Sequence, residues 1–194
     1  GEKYFVVRNY SSIIAFCVPK NDFKGFSIVS SHSDSPTFKI KELSSMTVEG
    51  NYKKLNTESY GGMIMSTWLD RPLSAAGRVI VKTENGVKTC LVNIDKDFCI
   101  IPNVAIHMQR DINNGYKFNP QTDMLPLIGG EDADLLSVIE SECGINKEDI
   151  LSSDLFLYPR VKATIMGAEG EFIGSPRLDD LQCVFSSVKA ITES

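Results

Sequence analysis

Two short polar motifs limit what this chain can fold into. Ser31-His32-Ser33-Asp34-Ser35-Pro36 follows the apolar run Phe26-Ser27-Ile28-Val29-Ser30. Pro176-Arg177-Leu178-Asp179-Asp180 stands before a segment carrying Leu181, Val184, Phe185, Val188 and Ile191. The first run reads as a strand that stops just short of His32, and the second as a helix opened by Asp179 or Asp180. Each motif puts side chains able to hold a metal at the end of a regular element. If the two meet in one site, the sequence between them must leave the domain and return to it. Such an excursion is easy where its own ends lie close together, as they commonly do in domains.

The rest of the chain fits that plan. Residues 4–8 and 12–18 are β-rich runs around Asn9-Tyr10-Ser11 and read as a hairpin. Residues 43–58 are polar and mixed with no sustained period, which marks a change of domain. Residues 77–82 then alternate, Glu84-Asn85-Gly86 supplies a tight-turn signal, and residues 88–92 return. Residues 100–106 are a further strand candidate, and 110–126 are loop-like. Leu135, Leu136, Val138 and Ile139 recur at helical spacing within 131–143, with Gly144 placed as a C-cap. Residues 155–158 form a strand stopped by Pro159, and 162–166 form another. The pattern predicts an α/β domain in two segments, 1–42 and 161–194, interrupted by a β-rich block at 43–160.

Composition narrows the partners. The net charge is −5 and the pI about 5.1. No basic footprint is available for nucleic acid or an anionic membrane surface. Apolar runs fall far short of the roughly 20 residues that span a bilayer. The polar start is not a signal peptide, and Gly1 is not a usual first residue, so upstream sequence is expected. Cys17, Cys90, Cys99, Cys143 and Cys183 are odd in number, widely spaced and free of any CxxC pair. They read as reduced thiols of a cytoplasmic protein.

Only two histidines are present, His32 and His107. In the His-x-Asp spacing, alternate residues of an extended segment share a face, so Asp34 can approach the His32 imidazole. A carboxylate behind a metal-bound histidine fixes its tautomer and raises its basicity. A turn histidine beside a capping aspartate has the same spacing. Asp179-Asp180 has two readings as well. One is N-capping. The other is a carboxylate shared by two cations about 4 Å apart. His107, in Ala105-Ile106-His107-Met108-Gln109-Arg110, reads as structural or exposed on its own. Trp68, Met63 and Met65 read as core or interface residues. No glycine-rich phosphate loop or nucleophile elbow is present.

Five stretches in order resemble the M18 family of metalloaminopeptidases. They are Ser31 to Pro36; Tyr60-Gly61-Gly62 with Ser66-Thr67-Trp68-Leu69-Asp70-Arg71; Ala75-Ala76-Gly77-Arg78-Val79-Ile80-Val81; Ile101-Pro102-Asn103-Val104-Ala105-Ile106-His107-Met108-Gln109-Arg110; and Phe172-Ile173-Gly174-Ser175-Pro176-Arg177-Leu178-Asp179-Asp180. The resemblance implies an α/β zinc-peptidase domain interrupted by a β-rich dimerisation domain. It implies dimers that build dodecamers and remove N-terminal residues from peptides. His32 matches a ligand of one zinc, and Asp179 the carboxylate bridging both metals. Asp34 matches the catalytic-site aspartate that orients a ligand. His107 matches an insert-domain histidine that reaches the neighbouring subunit's active site and helps hold substrate. The cofactor implied is two divalent ions, zinc foremost, with cobalt or manganese suiting the same donors. A cis peptide bond between Asp179 and Asp180 is also implied.

The family's paired glutamates, a further acidic ligand and a final histidine lie downstream of the Arg-Leu-Asp-Asp element. Only residues 181–194 follow it here. Without the general base, a contribution of about 10²–10⁴-fold is missing. The expectation is a peptidase parent and an inactive 194-residue chain. The competing expectation is a non-catalytic oligomerisation or interaction module.

Overall fold

The computed structural model describes residues 1–193. In chain order the regular elements are β1 (Glu2–Arg8), β2 (Ser12–Val18), β3 (Thr37–Val48), β4 (Tyr52–Tyr60), β5 (Leu73–Thr83), β6 (Gly86–Asn93), β7 (Leu127–Gly130), α1 (Leu135–Cys143), β8 (Ile150–Pro159), β9 (Thr164–Met166), β10 (Phe172–Gly174) and α2 (Leu178–Glu193). The protein is mixed α/β and mostly sheet. It divides into two compact units, one formed by Gly1–Ser35 with Arg177–Ser194, the other by Pro36–Pro176.

The larger unit is built on a six-stranded sheet in the order β6-β5-β8-β3-β4-β7, antiparallel throughout. Side chains alternate across it, as the two-residue strand period requires. Phe38 and Ile40 of β3, Leu55 of β4, Val79 of β5 and Leu155 and Leu157 of β8 turn inward and are buried. Leu135 and Ile139 of α1 pack onto that face with Ile101 and Met124. Trp68 joins them edge-on against Phe38, 5.2 Å between ring centres. Each such side chain removed from water contributes about 1.5–3 kcal/mol. β5 and β8 approach so closely at Gly77 that a Cβ there would lie 2.1 Å from the Asp154 carbonyl oxygen, and Gly77 has φ 151°. That position demands glycine. α1 ends at Gly144 in the left-handed conformation, φ 62°, as its place after the periodic run implied.

Three sequence expectations are corrected. Residues 43–58 are not a polar boundary. β3 runs through residues 42 and 43, and β4 returns after a turn in which Glu49 and Gly50 both have positive φ. Only Leu55 and Thr57 of β4 are fully inward, so charged outward neighbours such as Lys54 and Glu58 mask the alternation. Residues 100–106 form no strand. Cys99, Ile100 and Ile101 make isolated bridges, and Pro102 opens irregular backbone. Residues 26–30 are not a strand either. No neighbouring strand pairs with them, and Phe26, Ile28 and Val29 are exposed.

In the smaller unit β1 and β2 form the expected hairpin, Glu2 opposite Val18 and Arg8 opposite Ser12. Asn9 and Tyr10 make the turn at φ 53° and 54°. Lys3 of β1 donates from Nζ to the Thr192 carbonyl of α2 at 3.2 Å. Among the described residues of this unit, no apolar side chain is buried.

Candidate metal centre

The site lies within the smaller unit, where residues 31–35 meet the start of α2. The helix does not begin regularly. Arg177 has φ 63°, the Asp179–Asp180 peptide bond is cis as expected, and Asp179 and Asp180 lie outside helical dihedrals. Regular helix follows Asp180. The carboxylate of Asp180 is held within the unit: its Oδ2 accepts the His32 backbone N–H at 3.2 Å, and it accepts the Cys183 thiol. The thiol and that N–H hold its carboxyl below the usual carboxylate range. Asp179 is left facing outward, its side chain 94% exposed, with lone pairs available to a ligand.

His32 is held from both sides. Its Nδ1 lies 2.9 Å from the Asp34 carbonyl oxygen and 3.2 Å from Asp34 Oδ1. Both oxygens can only accept, so Nδ1 carries the proton and donates. In the neutral imidazole Nε2 is then an acceptor, and it faces Asp179 Oδ1 at 3.3 Å. Two acceptors set face to face need a cation between them, a proton or a metal ion. The bond to the Asp34 carbonyl raises the His32 pKa most. Partial burial opposes it, and the carboxylates of Asp180, Asp34 and Asp179 add to the rise.

The separation suits a metal. Ligand atoms about 2.0–2.1 Å from a tetrahedral zinc stand about 3.3 Å apart, the spacing found between His32 Nε2 and Asp179 Oδ1. A histidine whose second nitrogen donates to a carboxylate or carbonyl is the usual support for such a ligand. His32 and Asp179 are a two-donor set. Among the described residues no group of three or more His, Cys, Asp and Glu side chains converges on one point.

The structure therefore brings Asp179 to the His32 and Asp34 pair, from which it is far removed in sequence. His107 belongs to the larger unit, on an exposed turn. Sequence reasoning gave no role to Asp180 beyond capping and none to Cys183. The Asp-Asp dipeptide was the only local sign of the first, and nothing local marked the second.

Residues 1–194 match the family described as aminopeptidase I zinc metalloprotease, M18. A probable M18 family aminopeptidase 2 of Clostridium acetobutylicum is 48% identical over 99% of this chain and 47% of its own length. Aspartyl aminopeptidase 1 of Schizosaccharomyces pombe is 39% identical over 100% of this chain and 46% of its own. Among solved structures, a chain in the cryo-EM structure of the Ape4 and Nbr1 complex superposes with a TM-score of 0.90. It is 38% identical, over 100% of this chain and 41% of the other. The chain thus spans about half the length of the curated relatives it matches.

Proposed function

The chain belongs to the M18 aminopeptidase family, and from that premise we propose that it is part of a two-metal aminopeptidase that removes N-terminal residues from peptides. The observation that carries this reading is the pairing of His32 Nε2 with Asp179 Oδ1 at 3.3 Å, with Asp34 holding the other imidazole nitrogen. His32 is then a ligand of one ion, Asp179 the carboxylate shared by both, and Asp34 the group that fixes the imidazole tautomer. Two divalent ions, when bound, lower the pKa of water and polarise a carbonyl. Zinc is the cation proposed, and cobalt and manganese suit the same donors.

This chain's own residues prepare that centre. Asp34 keeps the Nδ1 proton in place. Asp180 ties the His32 backbone to the start of α2 and so sets the distance to Asp179. His107 is proposed to hold substrate in the active site of a neighbouring subunit, which requires a homo-oligomer, a dimer building to a dodecamer. The block proposed for dimerisation, 43–160, lies inside the larger unit. No helix among the described residues is long and apolar enough to cross a membrane. A reducing compartment, the cytoplasm, fits the thiols, and burial pushes the Cys99 thiol up to about 12.

Two donors do not complete a tetrahedral site, so the 194-residue chain alone is proposed to be inactive. The test assays this chain and the full-length protein side by side on an unblocked peptide, with and without chelator. Chelator-sensitive release of N-terminal residues is expected from the full-length protein and is lost in His32→Ala. Equal activity in the short chain overturns its proposed inactivity. A full-length protein silent with each divalent ion overturns the aminopeptidase reading and favours an oligomerisation module.

A further inference from the structure

Residues 102–126 contain neither helix nor strand, a length at which a connection in a compact unit is usually functional or disordered. This one is ordered at both ends. Ile101 and Met124 are fully buried. Between them the backbone closes turn after turn, Met108 N–H to Ala105, Ile112 to Gln109, Asn114 to Asp111. Outward from the first of these turns stand Val104, Ile106, His107 and Met108, all exposed.

What sets the direction of that turn is Asp70. Its backbone N–H donates to the Ile101 carbonyl at 2.9 Å. Its carboxylate Oδ1 accepts the Asn103 N–H, also at 2.9 Å. The two bonds straddle Pro102, whose ring already fixes φ and which has no N–H of its own. Asn103 Oδ1 then accepts the Val104 N–H at 2.9 Å, extending the grip by one residue. Asp70 can face this way because it sits in the left-handed region at φ 55°, a conformation that aspartate, asparagine and glycine tolerate far better than other residues.

We propose that Asp70 is a positioning residue, whose carboxylate fixes the start of the 103–108 segment and thereby the place of His107. The structural half of this stands on the hydrogen bonds alone. Its meaning for catalysis rests on the reading that His107 holds substrate.

The left-handed backbone supplies a clean pair of variants. Asp70→Gly keeps φ and deletes the acceptor; Asp70→Asn keeps both. Amide exchange read by NMR on this chain is the first measurement. In Asp70→Gly the Asn103 amide should exchange about tenfold faster, the scale of one charge-assisted hydrogen bond. In Asp70→Asn most protection should return. Core amides such as Leu155 should be unmoved in both. Unchanged exchange at Asn103 in Asp70→Gly overturns the proposal, as does equal loosening of the core.

The second measurement is steady-state kinetics of the full-length enzyme. Asp70→Gly should raise KM several-fold with a smaller change in kcat, and Asp70→Asn should restore it. The effect should not add to that of His107→Ala, because one residue acts through the other. Full additivity overturns the link to His107. If His107→Ala itself leaves KM unchanged, the substrate-holding reading fails, while the exchange result still decides whether Asp70 orders the segment.

Discussion

Asp123 carries three donors on one carboxylate. The Asn119 N–H lies 2.8 Å from Oδ2, the Tyr116 hydroxyl 2.9 Å from the same oxygen, and the Thr122 hydroxyl 3.0 Å from Oδ1. The Asn119 bond does most to hold its pKa below 3.8, against an opposing effect of partial burial. A depressed pKa in the folded state means that folding disfavours the bound proton. The stability this contributes is therefore present above the ordinary carboxylate value and lost as pH falls through the folded one. Melting temperatures of the wild-type chain and Asp123→Asn should differ at about pH 6 and converge as pH drops below the ordinary carboxylate range; a gap independent of pH would place its origin elsewhere. At this scale the candidate site was only half legible. His-x-Asp spacing announced that Asp34 could reach His32. It did not announce that the Asp34 backbone carbonyl is the shorter contact, because side-chain pattern says nothing about where a carbonyl turns. The bond from the His32 N–H to Asp180 joins residues far apart in sequence, and no local signal encodes such a pair. The ligand role proposed for Asp179 came only from the family resemblance, since the dipeptide alone favours a cap.

α1 shows what sequence encodes well at the scale of an element. Its apolar residues recur at helical spacing, Gly144 closes it, and Asp134 opens it by accepting the N–H groups of Leu136 and Ser137. Burial alone would raise the Asp134 pKa, but the Ser137 hydroxyl, Lys147 and the Leu136 N–H outweigh it and hold it low. Asp134→Ala should destabilise the larger unit by about 1 kcal/mol, the usual worth of such a cap. Asp134→Asn, which keeps an acceptor, should lose less. Urea denaturation of the three proteins measures this, and equal midpoints would show that water replaces the cap at no cost. Strands were read less well, for a physical reason. A strand is defined by its neighbours. Residues 26–30 have the apolar content of a strand but no partner to pair with. β7 was missed because Leu127-Ile128-Gly129-Gly130 is short and half glycine, and it is held as a strand by pairing with β4 at Tyr52, Lys53 and Lys54. The β5–β6 hairpin was read correctly because its signal is local: Thr83 pairs with Gly86 across Glu84-Asn85, and Gly86 takes the positive φ, 122°.

For the whole molecule, stability and chemistry lie on different parts of the chain. Every buried side chain of the core falls between Thr37 and Leu157, inside the larger unit. The pair His32 and Asp179 stands on the smaller unit, whose described residues bury no apolar side chain and expose Phe5, Ile13, Ile14, Phe185 and Val188. Burial of apolar area is the main driving force of folding. The cooperative melt of this chain should therefore belong to Pro36–Pro176, and the flanking segments should add little to it. A fragment of residues 36–176 should unfold in one transition within a few degrees of the 194-residue chain, and should gain nothing from added zinc. The longer chain should show a zinc response confined to signals of the smaller unit, abolished by His32→Ala. Two-dimensional amide spectra of both proteins, with and without zinc, decide the matter. Nearly superimposable resonances for 36–176 in the two samples are the expected result. A fragment that is unfolded, or that loses most of its melting temperature, would show that the flanking segments contribute to the core and that the division into units does not hold energetically. If it does hold, the pair has no core of its own to keep His32 Nε2 and Asp179 Oδ1 at 3.3 Å, and on the proposed two-metal reading bound ions would supply that rigidity.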